Sequence, residues 1–131
     1  MVEISQGELR EALAKEVAGI PRHFRHEPTI RQTIKCTLYN MLKKKALCPV
    51  PDFRPPRLSG GFLDLIGVDS SGSVVCAFAI NPLVDLKAIK SLEAVPAENK
   101  WMITFSKIEK KVKESKFFLK PGIDHLHLEQ K

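Results

Sequence analysis

The N-terminal third of the chain spaces its apolar residues with a helical period. A Ser-x-x-Glu capping box at Ser5 opens the first stripe, which predicts a helix over about 5–18 that stops near Gly19. A second stripe predicts a helix over about 28–45, and its three terminal lysines complement the negative end of the helix dipole. The apolar positions that define the two stripes are Leu9, Ala12, Leu13, Val17, Ile20, Ile30, Ile34, Leu38, Met41 and Leu42.

The rest of the chain contains the strands. Four prolines between Leu47 and Arg57 restrict any strand there to a short or edge position, because proline cannot donate to a ladder. Strands over 62–68 and 73–80 flank a polar turn, and the second is apolar on both faces, as in a central strand covered by helices. The pattern then predicts a helix over 83–95, a strand over 101–105, a helix over 106–118 with a capping box at Ser106 and a cap at Gly122, and a strand over 123–129.

The order of these elements predicts one α/β domain over 1–131. Its central sheet is mixed, with four to five strands flanked by helices. Within it, residues 1–27 form an N-terminal helical extension and residues 28–131 form the core.

The net charge of +6 is uneven along the chain. Residues 1–60 hold 11 Lys and Arg against 6 Asp and Glu, whereas residues 61–131 hold 10 against 9. A basic half suits contact with a polyanion such as DNA or RNA, although lysine-rich faces are also simply solvated. The candidate phosphate-binding residues are Lys43, Lys44, Lys45, Arg54 and Arg57, together with Lys107 and Lys111 of the lysine-rich helix that also carries Lys110, Lys113, Lys116 and Lys120.

Other features of composition narrow the function classes. Apolar runs stay well short of the ~18–20 residues that span a membrane, so no membrane partner is expected. Three cysteines without a Cys-x-x-Cys pair predict reduced thiols and a cytoplasmic location. Trp101 and Tyr39 fall at core-like positions, so no aromatic platform for single strands is predicted.

Residues 59–81 carry the most informative pattern. An apolar strand holds a single acid, Asp64, and a second apolar strand follows the turn. The segment 60–67, Gly-Gly-Phe-Leu-Asp-Leu-Ile-Gly, is similar to the Gly-x-Asp-Leu-Ile strand of the Mrr-like branch of the restriction-endonuclease-like PD-(D/E)xK nucleases. The segments 75–81 and 101–106, with the helix and strand that follow, resemble the later elements of that family. The resemblance covers about 28–129 and implies a three-layer restriction-endonuclease-like core.

The same resemblance implies a degenerate active site. In that superfamily an Asp on the first strand and a (Glu/Gln/Asp)-x-Lys pair on the second bind a divalent metal and activate water. Asp64 stands at the first position, but Ala79 and Asn81 stand where the acid and the lysine belong. A register shifted by one would place Phe78 and Ile80 there instead, and these supply neither group.

Two substitutes for the missing groups remain open from the sequence. Asp52, in a Pro-Asp pair, stands twelve residues before Asp64 and imitates the acid spacing, although Ile66 then stands at the lysine position. Alternatively, Lys87 or Lys90 on the following helix reaches back to the site. Either substitute would allow a Mg²⁺ site, since Mg²⁺ takes oxygen ligands from one or two carboxylates.

Histidines form two further candidate sites. His125, His127 and Glu129 share one face of the last predicted strand and have a spacing that suits Zn²⁺, but a fourth ligand is not evident. His23 and His26 lie in a basic connector and suit a metal or a phosphate. For both sets the simpler interpretation is a solvated surface.

Three functions follow from these observations. The leading hypothesis is a catalytically degenerate nuclease-like domain, with no cofactor, that binds nucleic acid or serves as a non-catalytic regulatory subunit. The second is an active Mg²⁺-dependent endonuclease that uses Asp64 with a migrated acid or lysine. The third is a protein-interaction module with the helix pair 5–45 as its surface, acting as a homodimer or beside a catalytic partner protein.

Overall fold

The computed structural model describes residues 3–56 and 61–130, and a five-stranded mixed sheet is its centre. The strand order is the chain order. The first three strands pair antiparallel, whereas the third, fourth and fifth pair parallel. The strands are β1 (Cys48–Phe53), β2 (Leu63–Val68), β3 (Val74–Asn81), β4 (Asn99–Thr104) and β5 (Asp124–His127). The α/β class and the mixed sheet predicted from the sequence are therefore confirmed.

Within the described residues, four α-helices accompany the sheet: α1 (Gln6–Ala18), α2 (Glu27–Lys44), α3 (Leu86–Glu93) and α4 (Glu109–Ser115). Short 3-10 helices cover Arg22–Phe24 and Lys116–Phe118. No helix in the described ranges is both long and apolar enough to cross a membrane.

The helices flank the sheet on both sides, which gives three layers. Alternate residues of β3 belong to opposite faces, as expected for the pleat of a strand. Cys76, Phe78 and Ile80 share a core with the apolar stripes of α1 and α2. Ala77 and Ala79 share a second core with α3. The small side chains on this second face leave room for α3 to pack directly on the strand.

The N-terminal helices belong to the same core as the sheet. Leu9, Leu13 and Val17 of α1 lie in one hydrophobic cluster with sheet residues. The Ser5 hydroxyl caps α1 by accepting from the Glu8 N–H at 3.1 Å, as the capping box predicts. The connector is fixed too, because Arg25 donates to the carbonyls of Ala18 and Ile20. The division of the domain at residues 27 and 28 stays a prediction.

The predicted capping of the penultimate helix is wrong at both ends. The Ser106 hydroxyl accepts from the Ile108 N–H at 3.1 Å and so closes a local turn, and the helix begins only at Glu109. Gly122 lies beyond the helix and the 3-10 turn that follows it. Its positive φ of 86° serves the turn before β5 rather than a helix cap.

A close contact between layers depends on Gly67 of β2. A Cβ atom at this position would lie 2.5 Å from the Cys76 Sγ and 3.3 Å from Cδ1 of both Leu42 and Leu47. Gly67 pairs directly with Cys76 in the β2–β3 ladder. The glycine therefore lets α2 and β3 approach β2 where a larger residue would separate them.

We expect Gly67→Ala to lower the free energy of unfolding by about 1–3 kcal/mol through overpacking. Denaturant unfolding measures it, and Gly7→Ala, where a Cβ has open space, is the matched control. In a Cys76→Ala background the loss should fall by at least half, because the nearest atom is gone. If Gly67→Ala lowers the free energy of unfolding by the same amount in the Cys76→Ala background, the strain does not come from the contact with the Cys76 Sγ.

Candidate functional site

The ends of β2 and β3 form a small pocket with α2 and α3. Leu65 pairs with Phe78, so Asp64 lies beside Ala79 on the face covered by α3. Asp64, Ala79 and Asn81 all line this pocket, which has a volume of about 90 Å³. The three residues that the resemblance aligns with the catalytic positions therefore lie together in one pocket.

Asp64 is held inside the structure rather than presented to solvent. Its side chain is 5% exposed, and its Oδ2 accepts from the Ile80 N–H at 2.7 Å. Burial raises the pKa of the Asp64 carboxyl, and the Ile80 hydrogen bond and the charges of Arg31 and Lys35 only partly oppose this. The carboxylate extends the β2–β3 ladder by one hydrogen bond, which is a structural role.

Arg31 of α2 supplies one of the cations that line the pocket. Its Nη2 donates to the Asn81 Oδ1 at 2.8 Å, and the residue lines the pocket together with Asp64. Asn81 is the position at which the family resemblance calls for a lysine. A guanidinium from a helix fifty residues earlier is thus fixed at that position by the Asn81 amide. Sequence reasoning missed Arg31, which there has the spacing of an ordinary solvated helix residue.

The two substitutes considered for the missing groups have different environments. Asp52 forms an ion pair with Lys35 of α2 at 2.6 Å, and Lys35 is 14% exposed. Asp52 raises and Lys35 lowers the pKa of Asp64, so this pair belongs to the same electrostatic environment. Lys87 lines the pocket at the start of α3, whereas Lys90 is not among the lining residues.

The pocket does not fit a Mg²⁺ ion. A hard divalent cation needs free carboxylate oxygens, but Asp64 is buried with a raised pKa. Asp85, the other carboxylate of the lining, caps α3, and its Oδ1 accepts from the Lys87 N–H at 3.2 Å. Asp52 is committed to Lys35. Arg31 adds a positive charge among the lining residues, and Ala79 offers no ligand. Within residues 3–56 and 61–130, no three His, Cys, Asp or Glu side chains are grouped so as to hold a metal.

The predicted N-terminal basic cluster is divided by the fold. Lys43, Lys44 and Lys45 precede β1, and Arg54 follows it. The six residues of β1 separate the two sets by about 20 Å at ~3.3 Å per residue. Phe53 pairs with Leu63, so Arg54 belongs to the pocket end of the sheet and the lysines to the opposite end. Arg57 lies outside the described residues.

The other predicted cations are exposed or engaged locally. Lys45 forms an ion pair with Glu8 at 3.0 Å, and Lys43 lies 5.8 Å from the ring centre of Tyr39. Tyr39 is 36% exposed, so its predicted core position is wrong. Lys107 and Lys111 are both exposed near α4. These residues remain candidates for general phosphate contact.

The last strand has the orientation expected from its alternation, with Leu126 and Leu128 buried. On the other face the buried Thr104 hydroxyl lies 2.8 Å from both His125 Nε2 and His127 Nδ1. Burial and the charges of Lys116, His127 and Arg10 lower the pKa of His125 to about 4. The histidines therefore form a hydrogen-bonded bridge between β4 and β5. Glu129 is exposed and does not join them in a metal-binding group, since no three such side chains are grouped in the described residues.

Comparison with known proteins yields one structural likeness. The crystal structure of a repair endonuclease from Pyrococcus abyssi aligns with 81% of this chain and 49% of its own, with a TM-score of 0.40 and 16% sequence identity. The chain thus spans about half the length of that protein. No protein-family model matches the chain, and no curated protein is significantly similar to it. At this level of likeness, function has to be inferred from the residues of this chain.

We expect Asp64→Asn to make the fold more stable at pH 7. A carboxyl whose pKa is raised on folding loses stability as pH rises from the unfolded value of 3.8 through the folded one, and Asn removes that loss while keeping an acceptor for Ile80. Urea unfolding at several pH values measures this. The difference in free energy of unfolding between Asp64→Asn and the wild type should vanish below about pH 3.8. A destabilised variant at pH 7 would mean that Arg31 and Lys35 outweigh burial.

His125 makes the fold sensitive to acid. Since its pKa falls from 6.5 to about 4 on folding, the unfolded chain binds a proton first, and stability should fall as pH drops from about 6.5 to 4. We expect His125→Gln to flatten this part of the stability profile. Thermal unfolding between pH 4 and 7 is the measurement, with the exposed His23→Gln as control; an equal slope in His125→Gln would contradict the assignment.

Proposed function

We propose that this chain is a catalytically degenerate nuclease-like domain that binds nucleic acid without cutting it. The observation that supports this most is the Arg31–Asn81 hydrogen bond beside Asp64. It places a permanent cation where hydrolysis by this class of fold would require a metal and a lysine. A phosphodiester group then finds a charge partner in the pocket but no group that activates water.

The loss of cleavage follows from the chemistry of the lining. Metal-assisted hydrolysis needs a metal that lowers the pKa of its bound water and offsets charge on the leaving oxygen. Asp64 offers one buried oxygen pair, of which Oδ2 is already engaged, and Ala79 offers none. The Asp85 carboxylate is the N-cap of α3, and its Oδ1 accepts from the Lys87 N–H. The Mg²⁺-dependent endonuclease is therefore the weaker candidate.

Phosphate binding follows from the cations that the pocket collects. A guanidinium carries five N–H donors, so Arg31 keeps free donors while one Nη atom holds Asn81. Lys87 lines the same pocket from α3, and Arg54 follows β1 toward the same end of the sheet. A volume of about 90 Å³ admits a phosphate group but not a nucleoside. Sequence-independent contact with a DNA or RNA backbone is the expected mode of binding.

The interaction-module alternative has less support. The groove between α1 and α2 has a volume of about 1250 Å³, but it is lined mainly by charged, hydroxyl and amide side chains such as Glu11, Gln32 and Thr33. Its lining contains no aromatic residue, the type that dominates the energetics of protein interfaces. A regulatory role beside a catalytic partner or in a homodimer, a cytoplasmic location and membership of the Mrr-like branch remain predictions.

Nucleic-acid binding should be independent of divalent metal and should depend on Arg31. In fluorescence anisotropy with labelled DNA and RNA oligonucleotides, we expect the same affinity in EDTA and in Mg²⁺, with no cleavage products. Arg31→Ala should weaken binding roughly 10- to 150-fold, the range for a hydrogen bond to a charged group, and Arg31→Lys should weaken it less.

The matched control is Lys90→Ala, which removes a cation of α3 outside the pocket lining and should have little effect. Wild-type affinity in Arg31→Ala would contradict the pocket assignment. Binding or cleavage that requires Mg²⁺, and that Asp64→Asn abolishes, would instead establish the endonuclease.

A further inference from the structure

We propose that Phe117 stacks on an unpaired base, so that this chain prefers single-stranded over duplex nucleic acid. The inference rests on the nucleic-acid binding proposed above but concerns a different surface. Phe117 lies in the 3-10 turn Lys116–Phe118 that follows α4. Its side chain is 86% exposed, the highest exposure among the large hydrophobic residues of the described chain.

Phe117 lies beside a second ring, in a turn that Ser115 anchors to the rest of the fold. Phe118 packs against it edge to face, with ring centres 5.7 Å apart and an angle of 80° between the planes. The buried Ser115 fastens the turn: its hydroxyl donates to the Val112 carbonyl at 2.7 Å and accepts from the Val84 N–H at 3.1 Å. Because Phe117 is 86% exposed and Phe118 covers at most one of its faces, at least one face of the ring is open to a stacking base.

The charge around the ring suits a nucleic-acid strand. Residues 107–120 contain six lysines and two glutamates, a local excess of four positive charges. Three of the lysines, Lys113, Lys116 and Lys120, lie within four residues of Phe117 and are exposed. Aromatic rings within a positively charged surface are the recurring design of proteins that bind single strands without reading sequence.

The turn is also connected to the pocket. Ser115 contacts Val84, and the next residue, Asp85, lines the pocket. Summed bond lengths and the hydrogen bond keep the Cα atoms of Phe117 and Asp85 within about 18 Å of each other. About five nucleotides span that distance at the duplex spacing of ~3.4 Å, and fewer do in an extended strand. One short strand can therefore place a phosphate at Arg31 and a base on Phe117.

The experiment compares a labelled oligothymidylate with a duplex of equal length, by anisotropy in EDTA. Phe117→Ala should weaken single-strand binding roughly 5- to 150-fold and leave duplex binding unchanged. Phe117→Tyr should retain the affinity and Phe117→Leu should lose it, because stacking needs a π face and not just an apolar side chain. Ile108→Ala, which removes another exposed apolar side chain beside α4, is the matched control and should have no effect.

Three results would overturn the inference: equal losses on single strand and duplex, full affinity in Phe117→Leu, or no change in Phe117→Ala. If Phe117→Ala leaves nucleic-acid binding unchanged but abolishes binding to phosphatidylserine vesicles, the surface around Phe117 would instead bind an anionic membrane. Arg31→Ala on the same strands separates the two proposals. If it weakens binding while Phe117→Ala does not, the pocket proposal stands and the stacking inference fails; if the wild type binds neither strand, both fail.

Discussion

The hydrogen bond between Arg31 and Asn81 is the interaction on which the character of the pocket depends. It joins α2 to the end of β3, and it holds a guanidinium in the pocket that the buried Asp64 also lines. A pocket with a fixed guanidinium attracts phosphate and repels Mg²⁺. In the proposed function, this end of the sheet binds a phosphodiester group without hydrolysing it.

The packing of α3 on the same face of β3 is compatible with this proposal. Ala77 and Ala79 are buried with Ala88, Ile89 and Leu92 of α3 in one apolar core. An acid at residue 79 would place a second carboxylate in this core beside Asp64, where both desolvation and like charge oppose ionisation. Alanine at residue 79 instead packs against α3, and the Asp64 Oδ2 accepts the Ile80 N–H.

The sequence predicted the elements better than the contacts between them. The helical spacing of apolar residues predicts α1 and α2, and the apolar run predicts β3. Once the β2–β3 hairpin is recognised, the alternation of side chains along the strands places Asp64 beside Ala79. The contacts of Arg31 and Lys35 could not be predicted in this way. A cation between the buried positions of a helix has the same spacing in the sequence whether its side chain lies in solvent or contacts another element. Phe117 was missed for a related reason: a 3-10 turn after α4 has no period that indicates which ring stays exposed.

The most direct test of the account is a calorimetric titration of the wild-type protein with Mg²⁺ and with Mn²⁺, beside Asp64→Asn. Because Arg31 supplies the charge of the pocket and Asp64 is buried and hydrogen-bonded, the account predicts no saturable binding of either ion in either protein. A stoichiometric site present in the wild type and lost in Asp64→Asn would contradict it, and would show that a metal displaces Arg31 to restore a nuclease centre.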